Sequence, residues 1–208
     1  MKKIILASAS PRRRELLTQL GVEFEVIPSE GDEIITKQDP AEVVEELSQQ
    51  KAGEVAGKIA ETLTDAIVIG ADTIVFHSGH ILGKPSDKED ARKMLEGIQG
   101  DVHSVFTGVT VVEVEKGKEI KKHTFSCETK VHVYPMTDQE IEDYLTAKEI
   151  SGIGEKEEDR KCGWEGKAGG YGIQDPFGKK YISHIEGDYY NVVGLPVSSL
   201  WQLLKNLV

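Results

Sequence analysis

The chain has 208 residues, carries 25 Lys+Arg against 36 Asp+Glu for a formal charge of −11 at pH 7, and is 38% hydrophobic and 29% charged. That length allows one large domain or two small ones with a real core, and the composition argues against global disorder. The net acidity argues against binding to a nucleic-acid polymer, since that attraction comes mainly from Lys and Arg neutralising phosphates.

Two cysteines, Cys127 and Cys162, are too few for a multi-bridge framework. His123 lies near Cys127, but no second Cys/His pair completes a zinc pattern along the sequence, so reduced thiols in the cytoplasm are expected. The apolar run Ile4–Ala7 is shorter than the roughly 7–15 residues of a secretory h-region. No run approaches the ~20 residues of a membrane span.

In chain order, Lys3–Ala7 reads as a strand that enters Ser8-Ala9-Ser10-Pro11-Arg12-Arg13-Arg14. Ser10 is a good N-cap, Pro11 suits the first helical turn, and Leu16, Leu17 and Leu20 give the helix an apolar face before Gly21 ends it. Val22–Ile27 alternates as a second strand, and Pro28–Glu33 is an acidic loop. Asp39-Pro40-Ala41-Glu42 opens a long helix to about Leu63, with Val43, Val44, Leu47, Val55 and Ile59 near helical period. Ala66–Ala71 shows no polar alternation and predicts a central strand covered on both faces, with Asp72 and Thr73 following at once, inside or at the end of it. Ser78-Gly79 predicts a turn, His80–Leu82 a short strand, and Ser86 the cap of a helix to about Glu96. Val102–Val114 and Glu119–Val133 predict a long hairpin about Lys116-Gly117-Lys118. Thr137-Asp138-Gln139-Glu140 is a capping box for a helix to about Ala147. Ser151–Gly166, rich in Gly and charge, predicts a surface loop. Tyr171–Gln174, Tyr181–Glu186 and Tyr189–Val193 are expected as strands, and Pro196–Leu207 as a closing helix. Strands mixed with helices throughout predict an α/β fold with a mixed, strongly twisted sheet flanked by helices.

Five stretches carry chemistry. In Ser8–Arg14 two hydroxyls, a helix N-terminus and three arginines converge on one turn, which suits a phosphate. A capped helix with solvated arginines is the competing reading, yet three cations in a first turn oppose the macrodipole unless an anion binds there. Asp72-Thr73 stands where open α/β sheets place ligands, at a strand end, although an Asp that merely caps nearby backbone fits equally well. Glu30, Asp32 and Glu33 form a solvated acidic loop by default; with Asp72 they could hold Mg²⁺, which takes one or two carboxylates plus substrate phosphates. Gly83-Lys84-Pro85 is a weak signal alone. Lys167-Ala168-Gly169-Gly170-Tyr171-Gly172-Ile173-Gln174 is a Gly-rich approach to a strand that invites a flat ligand, and it fails the Walker A spacing.

Taken together, Leu6-Ala7-Ser8-Ala9-Ser10-Pro11-Arg12-Arg13, Ile69-Gly70-Ala71-Asp72-Thr73, Gly83-Lys84-Pro85, Lys167–Gln174 and Val193-Gly194-Leu195-Pro196, in this order, resemble the Maf family of nucleoside triphosphate pyrophosphatases. The resemblance implies one Maf-like domain over residues 1–208, similar to inosine triphosphatases, with two lobes about a central cleft and a charged loop insertion at 151–166. It implies hydrolysis of a nucleotide to its monophosphate and pyrophosphate with a divalent cation, Mg or Mn, and the Tyr-Gly-Ile-Gln ending resembles the dTTP and UTP branch. The catalytic carboxylate falls on Asp72, and substrate selection on Arg12, Thr73 and Gln174. Ser10, Arg13, Glu33, Lys51 and Lys84 fall on positions lining the phosphate cleft, with Glu33 and Asp72 as metal ligands. The chain departs from the family at Ile150–Glu165, which is longer and more charged.

The expected chemistry is water attack on the α-phosphorus, with a base to take the proton and cations to neutralise the departing pyrophosphate. Asp72 suits the base or the metal-ligand role. Gln174 offers both a donor and an acceptor, the pair that reads the N3–H and O4 edge of uracil or thymine. The competing functions are a non-catalytic nucleotide sensor that regulates cell division, and a pyrophosphatase for modified nucleotides. A small-molecule nucleotide is the expected partner, a homodimer the expected assembly, and neither nucleic acid nor membrane is expected.

Overall fold

Described at residues 2–62, 64–148 and 162–207, the computed structural model begins with β1 (Lys3–Leu6), α1 (Pro11–Gln19), β2 (Glu25–Val26) and α2 (Pro40–Glu61). β3 (Ala66–His77), β4 (His80–Leu82), α3 (Lys88–Ile98), β5 (Val102–Glu115) and β6 (Lys118–Val133) follow. The chain closes with α4 (Asp138–Thr146), a 3-10 turn at Ala168–Gly170, α5 (Pro176–Tyr181), β7 (Ile182–Glu186), α6 (Tyr189–Val193) and α7 (Val197–Leu204). Among the described residues, no helix is long and apolar enough to cross a membrane.

The chain divides into two units. The first holds Met1–Thr73, Phe106–Glu128 and Asp188–Val208. Its strands pair in the order β2-β1-β3-β5-β6, with β1 parallel to both β2 and β3 in the register Ile5↔Val68 and Leu6↔Ile69. α2 lies on this sheet: Ala52, Val55, Ala56 and Ile59 pack with Ile5 and Ala7, Ala66 and Val68, and Val112 and Val114. Each such Val or Ile, fully buried, contributes about 1.5–3 kcal/mol.

Two glycines set how closely α2 approaches. A Cβ on Gly70 would stand 2.5 Å from the Ser48 carbonyl and 2.6 Å from the Ala52 amide, and one on Gly108 would stand 2.1 Å from the Val44 carbonyl. The helix backbone therefore rests directly on β3 and β5 with no side chain between.

The second unit holds Ile74–Val105 and Thr129–Gly187. There β4 pairs antiparallel with the end of β3 (Val75↔Leu82), and β7 antiparallel with the end of β6. α3 packs against α4 and the 3-10 turn. Parallel and antiparallel pairs together make the sheet mixed, as expected.

Most predicted elements stand, and the departures have physical causes. β2 keeps only two residues of the predicted Val22–Ile27. Asp87, not Ser86, caps α3 by accepting from the Asp90 amide at 2.8 Å, while Ser86 donates its own amide to the Asp90 carboxylate at 2.9 Å. Tyr171–Gln174 is not a strand. Gly169 and Gly170 turn the chain at φ of +69° and +74°, and the Asp175 amide closes a turn on the Gly172 carbonyl at 3.2 Å. Tyr189–Val193 is helical, because Asp188 caps it by accepting from the Tyr190 amide at 2.8 Å and Gly194 ends it. There the Asp and Gly punctuation outweighs the β propensity of Tyr and Val. Residues 149–161, which hold most of the predicted insertion, lie outside the described residues. At its end, Trp164 Nε1 donates to the Leu145 carbonyl at 3.1 Å.

Candidate active site

β1 delivers the chain to Ser8, and Ser10 caps α1 by accepting from the Arg13 amide at 3.4 Å. The Ser10 amide in turn donates to Ser8 Oγ at 3.3 Å. Arg13 then turns into the protein. Its Nε donates to the Gly194 carbonyl at 2.9 Å, Nη1 to Ser8 Oγ at 3.1 Å and to the Ala71 carbonyl at 2.8 Å, and Nη2 to Thr73 Oγ1 at 2.9 Å. Four of the five N–H donors of a guanidinium are thus used within the chain. Burial pushes the Arg13 group down from its ordinary value, and the negative charges of Asp72 and Glu33 oppose that. Gly194 sits at φ of +125°, a conformation that disfavours any side chain, and this aims its carbonyl at Arg13.

Thr73 continues the network. Its Oγ1 lies 3.0 Å from Thr107 Oγ1, which donates to the Asn191 carbonyl at 3.1 Å. Thr107 has one hydroxyl proton and gives it to Asn191, so Thr73 is the donor between the two threonines. Thr73 has the Gly194 carbonyl, at 3.5 Å, as a second acceptor for its one proton.

Asp72 lies inside β3, one of the two placements that the sequence allowed, and its side chain is 12% exposed. Lys51, on the face of α2 that Gly70 admits to the sheet, forms an ion pair with Asp72 Oδ1. The same ammonium reaches Glu33 Oε1 at 2.8 Å. Two carboxylates thus converge on one cation position. That donor set fits a hard divalent ion, which binds through one or two carboxylates, and Asp72 and Glu33 are the residues that would hold it.

Glu33 stands in a segment without regular structure that α2 straps down. Glu54 accepts from the amides of Glu30 and Gly31 at 3.1 and 3.0 Å, Gln50 accepts from Ile34 at 3.0 Å, and Glu46 accepts from Thr36 at 2.8 Å. The Lys58 hydrogen bond, followed by the Gly31 and Glu30 amides, holds the Glu54 carboxyl down to about 2. Positions 46, 50 and 54 share one helix face, so this ladder was present in the sequence as an i, i+4, i+8 polar row that was not used. Glu30 and Asp32, grouped with Glu33 in the sequence, are exposed.

Lys84 and Gln174 belong to the other unit, and both are exposed. Their two motifs meet through the Gly169 amide, which donates to the Gly83 carbonyl at 3.0 Å. Beside Gln174, Asp175 forms an ion pair with the buried Lys167. Tyr171 is buried with its hydroxyl on His103 Nε2. Burial pushes the Tyr171 phenol up, so it keeps its proton. Burial first, then the charges of His77 and His132, holds the His103 imidazole down to about 3. Neither Lys167–Asp175 nor His103–Tyr171 was singled out in the sequence, where no local spacing marks either pair. Arg12 is half-buried on α1.

Residues 3–207 match the family described as Maf-like protein. A protein of Agathobacter rectalis named dTTP/UTP pyrophosphatase is 48% identical over 216 residues, which cover 100% of this chain and 98% of the relative. One of the same name from Thermoanaerobacter is 45% identical over 203 residues, covering 98% and 95%. Among solved structures, a HAM1 protein from Coxiella burnetii is 16% identical at a TM-score of 0.42, covering 64% of this chain and 73% of its own. With nearly its whole length matched by the family and by relatives of this identity, the chain belongs to the Maf-like proteins.

Proposed function

We propose that this chain is a nucleoside triphosphate pyrophosphatase that hydrolyses dTTP and UTP to the monophosphate and pyrophosphate. The observation that carries this reading is the buried Asp72 carboxylate, held with Glu33 about the single ammonium of Lys51, in a chain 48% identical to a dTTP/UTP pyrophosphatase.

Oδ1 of Asp72 faces the cation position that Lys51 fills in this structure, and the second oxygen is the one to orient a water and accept its proton. The water oxygen bonds to the α-phosphorus as the bond to the bridging oxygen breaks, and pyrophosphate leaves with that electron pair. A divalent ion held by Asp72 and Glu33 in place of the Lys51 ammonium would neutralise phosphate charge. Ser10 and Arg12 at the start of α1, with Lys51 and Lys84, bind the phosphates through charge and hydrogen bonds. Arg13 orients Ser8, Thr73 and the Ala71 peptide on either side of Asp72. Thr73 and Gln174, with Arg12, select the substrate. Free nucleoside triphosphates are a cytosolic pool, which is where this reading puts the protein.

Pyrophosphate release from a panel of dTTP, UTP, CTP, ATP and GTP, with and without Mg²⁺ or Mn²⁺, tests it. The expected result is the highest kcat/KM with dTTP and UTP and no release without the cation. Tight nucleotide binding with no pyrophosphate released under any condition would make the chain a sensor instead.

A further inference from the structure

β7 pairs antiparallel with β6 in a register that sets His132 opposite His184 and Lys130 opposite Glu186. Residues two apart on a strand share a face, so His184 and Glu186 project together with His132. The two imidazoles stack, with centroids 3.8 Å apart and planes 19° from parallel. Glu186 Oε1 lies 2.7 Å from His132 Nε2. One nitrogen or oxygen from each of the three residues lies within 4.8 Å of the other two.

We propose that His132, His184 and Glu186 form a binding site for one divalent transition ion of the zinc class, sharing no residue with Asp72 and Glu33. Two imidazole nitrogens and one carboxylate oxygen suit such an ion, whereas Mg²⁺ prefers oxygen throughout. Metal–ligand bonds of about 2.0–2.2 Å put neighbouring ligand atoms roughly 3.2–3.5 Å apart. The 2.7 Å contact must therefore open slightly and the widest separation close. The two rings must also turn out of their stack, so that the ion lies in both ring planes; all three changes are side-chain adjustments on a backbone that the strand register fixes, and His184 and Glu186 are exposed.

Ser183 prepares one ligand. Its hydroxyl donates to the His132 carbonyl at 3.1 Å and lies 3.2 Å from His184 Nδ1. With its one proton spent on the carbonyl, Ser183 can accept from His184 Nδ1–H, the tautomer that leaves Nε2 its lone pair for the ion. Binding through His132 Nε2 needs the proton that this nitrogen shares with Glu186 to leave it, released to solvent from a protonated ring or replaced by one taken up at Nδ1 in a neutral ring. With three protein ligands, the ion keeps an open position for water or a further ligand.

Titration of ZnCl₂ into the metal-stripped full chain by calorimetry, with imidazole ¹⁵N spectra recorded alongside, tests the site. One ion per chain is expected, with the His132 and His184 resonances moving first. His184→Ala, His132→Ala and Glu186→Gln should each weaken that binding by about tenfold or more. Pyrophosphate release with Mg²⁺ should stay unchanged in all three. Equal zinc affinity in the three variants, unmoved His132 and His184 resonances, or no binding below about 1 mM would each overturn the proposal.

Discussion

Lys51 and Asp72, 21 positions apart in sequence, form an ion pair that joins α2 to β3, and the same ammonium holds Glu33 at 2.8 Å. A buried carboxylate without a partner would cost several kcal/mol. Lys51 offsets that cost while keeping two carboxylates at the spacing a divalent ion can use.

Asp72→Asn keeps the shape of the side chain and removes its charge and basicity. Loss of a general base typically costs ~10²–10⁴-fold in rate, so kcat should fall by that factor while nucleotide binding survives. Single-turnover rates together with calorimetric binding check both halves. A variant that kept more than about a tenth of kcat would remove Asp72 from the chemistry.

Gly70→Ala should slow the reaction without adding any group that meets substrate. The new Cβ would sit 2.5 Å from the Ser48 carbonyl and 2.6 Å from the Ala52 amide, so α2 must move off β3 and carry Lys51 away from Asp72. Overpacking of this kind costs about 1–3 kcal/mol, or a lowering of Tm by roughly 2–12 °C for a chain of this size. A lowered kcat at a temperature where the variant is fully folded is the diagnostic result. An unchanged kcat would show that the Lys51–Asp72 spacing does not matter.

The first strand, the Ser10 and Asp39 caps, the β5–β6 hairpin and the apolar stripe of α2 were legible because each depends on neighbours in sequence: an N-cap reaches two or three residues, and a helix stripe repeats every turn. The grouping of Ser10, Arg13 and Asp72 at one site was implied by the family resemblance rather than by any local spacing. What the sequence hid is long-range. Arg13 carries its fork into the chain rather than toward solvent because Ala71, Thr73 and Gly194 supply acceptors, and those residues lie 58, 60 and 181 positions away. Zinc was set aside for want of a local Cys/His spacing, yet strand pairing brings together His132 and Glu186, which are 54 positions apart.

Arg13→Lys preserves the charge and loses the planar fork. Hydrogen bonds to a charged group are worth about 1.5–3 kcal/mol, so Tm should fall by roughly 3–12 °C. Because Thr73 and the Ala71 peptide flank Asp72, kcat should fall as well, while KM changes little. Calorimetric scans and steady-state kinetics separate the two effects. A raised KM with unchanged Tm would mean that Arg13 binds phosphate instead.

His103 gives the fold a pH dependence of known sign. In the folded chain its imidazole stays neutral down to about 3, whereas an unfolded His takes a proton below about 6.5. Between those values the unfolded state binds the extra proton, so stability is full above that window and is lost as pH falls through it, at up to about 1.4 kcal/mol per pH unit. His103→Gln retains an acceptor for the Tyr171 hydroxyl and removes the titration. Its Tm should decline less steeply than the parent's from pH 6.5 to 4; parallel Tm curves would rule out this contribution.

On the proposed function, selectivity for uracil and thymine would rest on the Gln174 amide, which stands in a turn. Gln174 can donate to O4 and accept from N3–H of these bases, while cytosine presents an amine and an unprotonated N3 that invert the pattern. The amide could flip to suit cytosine, so discrimination needs an orientation fixed from outside. A strand was expected to supply it, but the structure supplies a turn, closed by the Asp175 amide on the Gly172 carbonyl at 3.2 Å and anchored by the ion pair of Asp175 with the buried Lys167. An inverted pairing leaves polar groups unsatisfied at about 1–3 kcal/mol, which predicts a preference for UTP over CTP of roughly 5–150-fold in kcat/KM. Gln174→Glu should collapse the preference, because a carboxylate cannot donate to O4 unless protonated. Asp175→Asn, which weakens the anchor and leaves Gln174 in place, should reduce the preference and leave kcat for UTP nearly unchanged. Equal kcat/KM for UTP and CTP in the parent chain would remove Gln174 from base selection, and full selectivity in Asp175→Asn would place the fixing contact elsewhere.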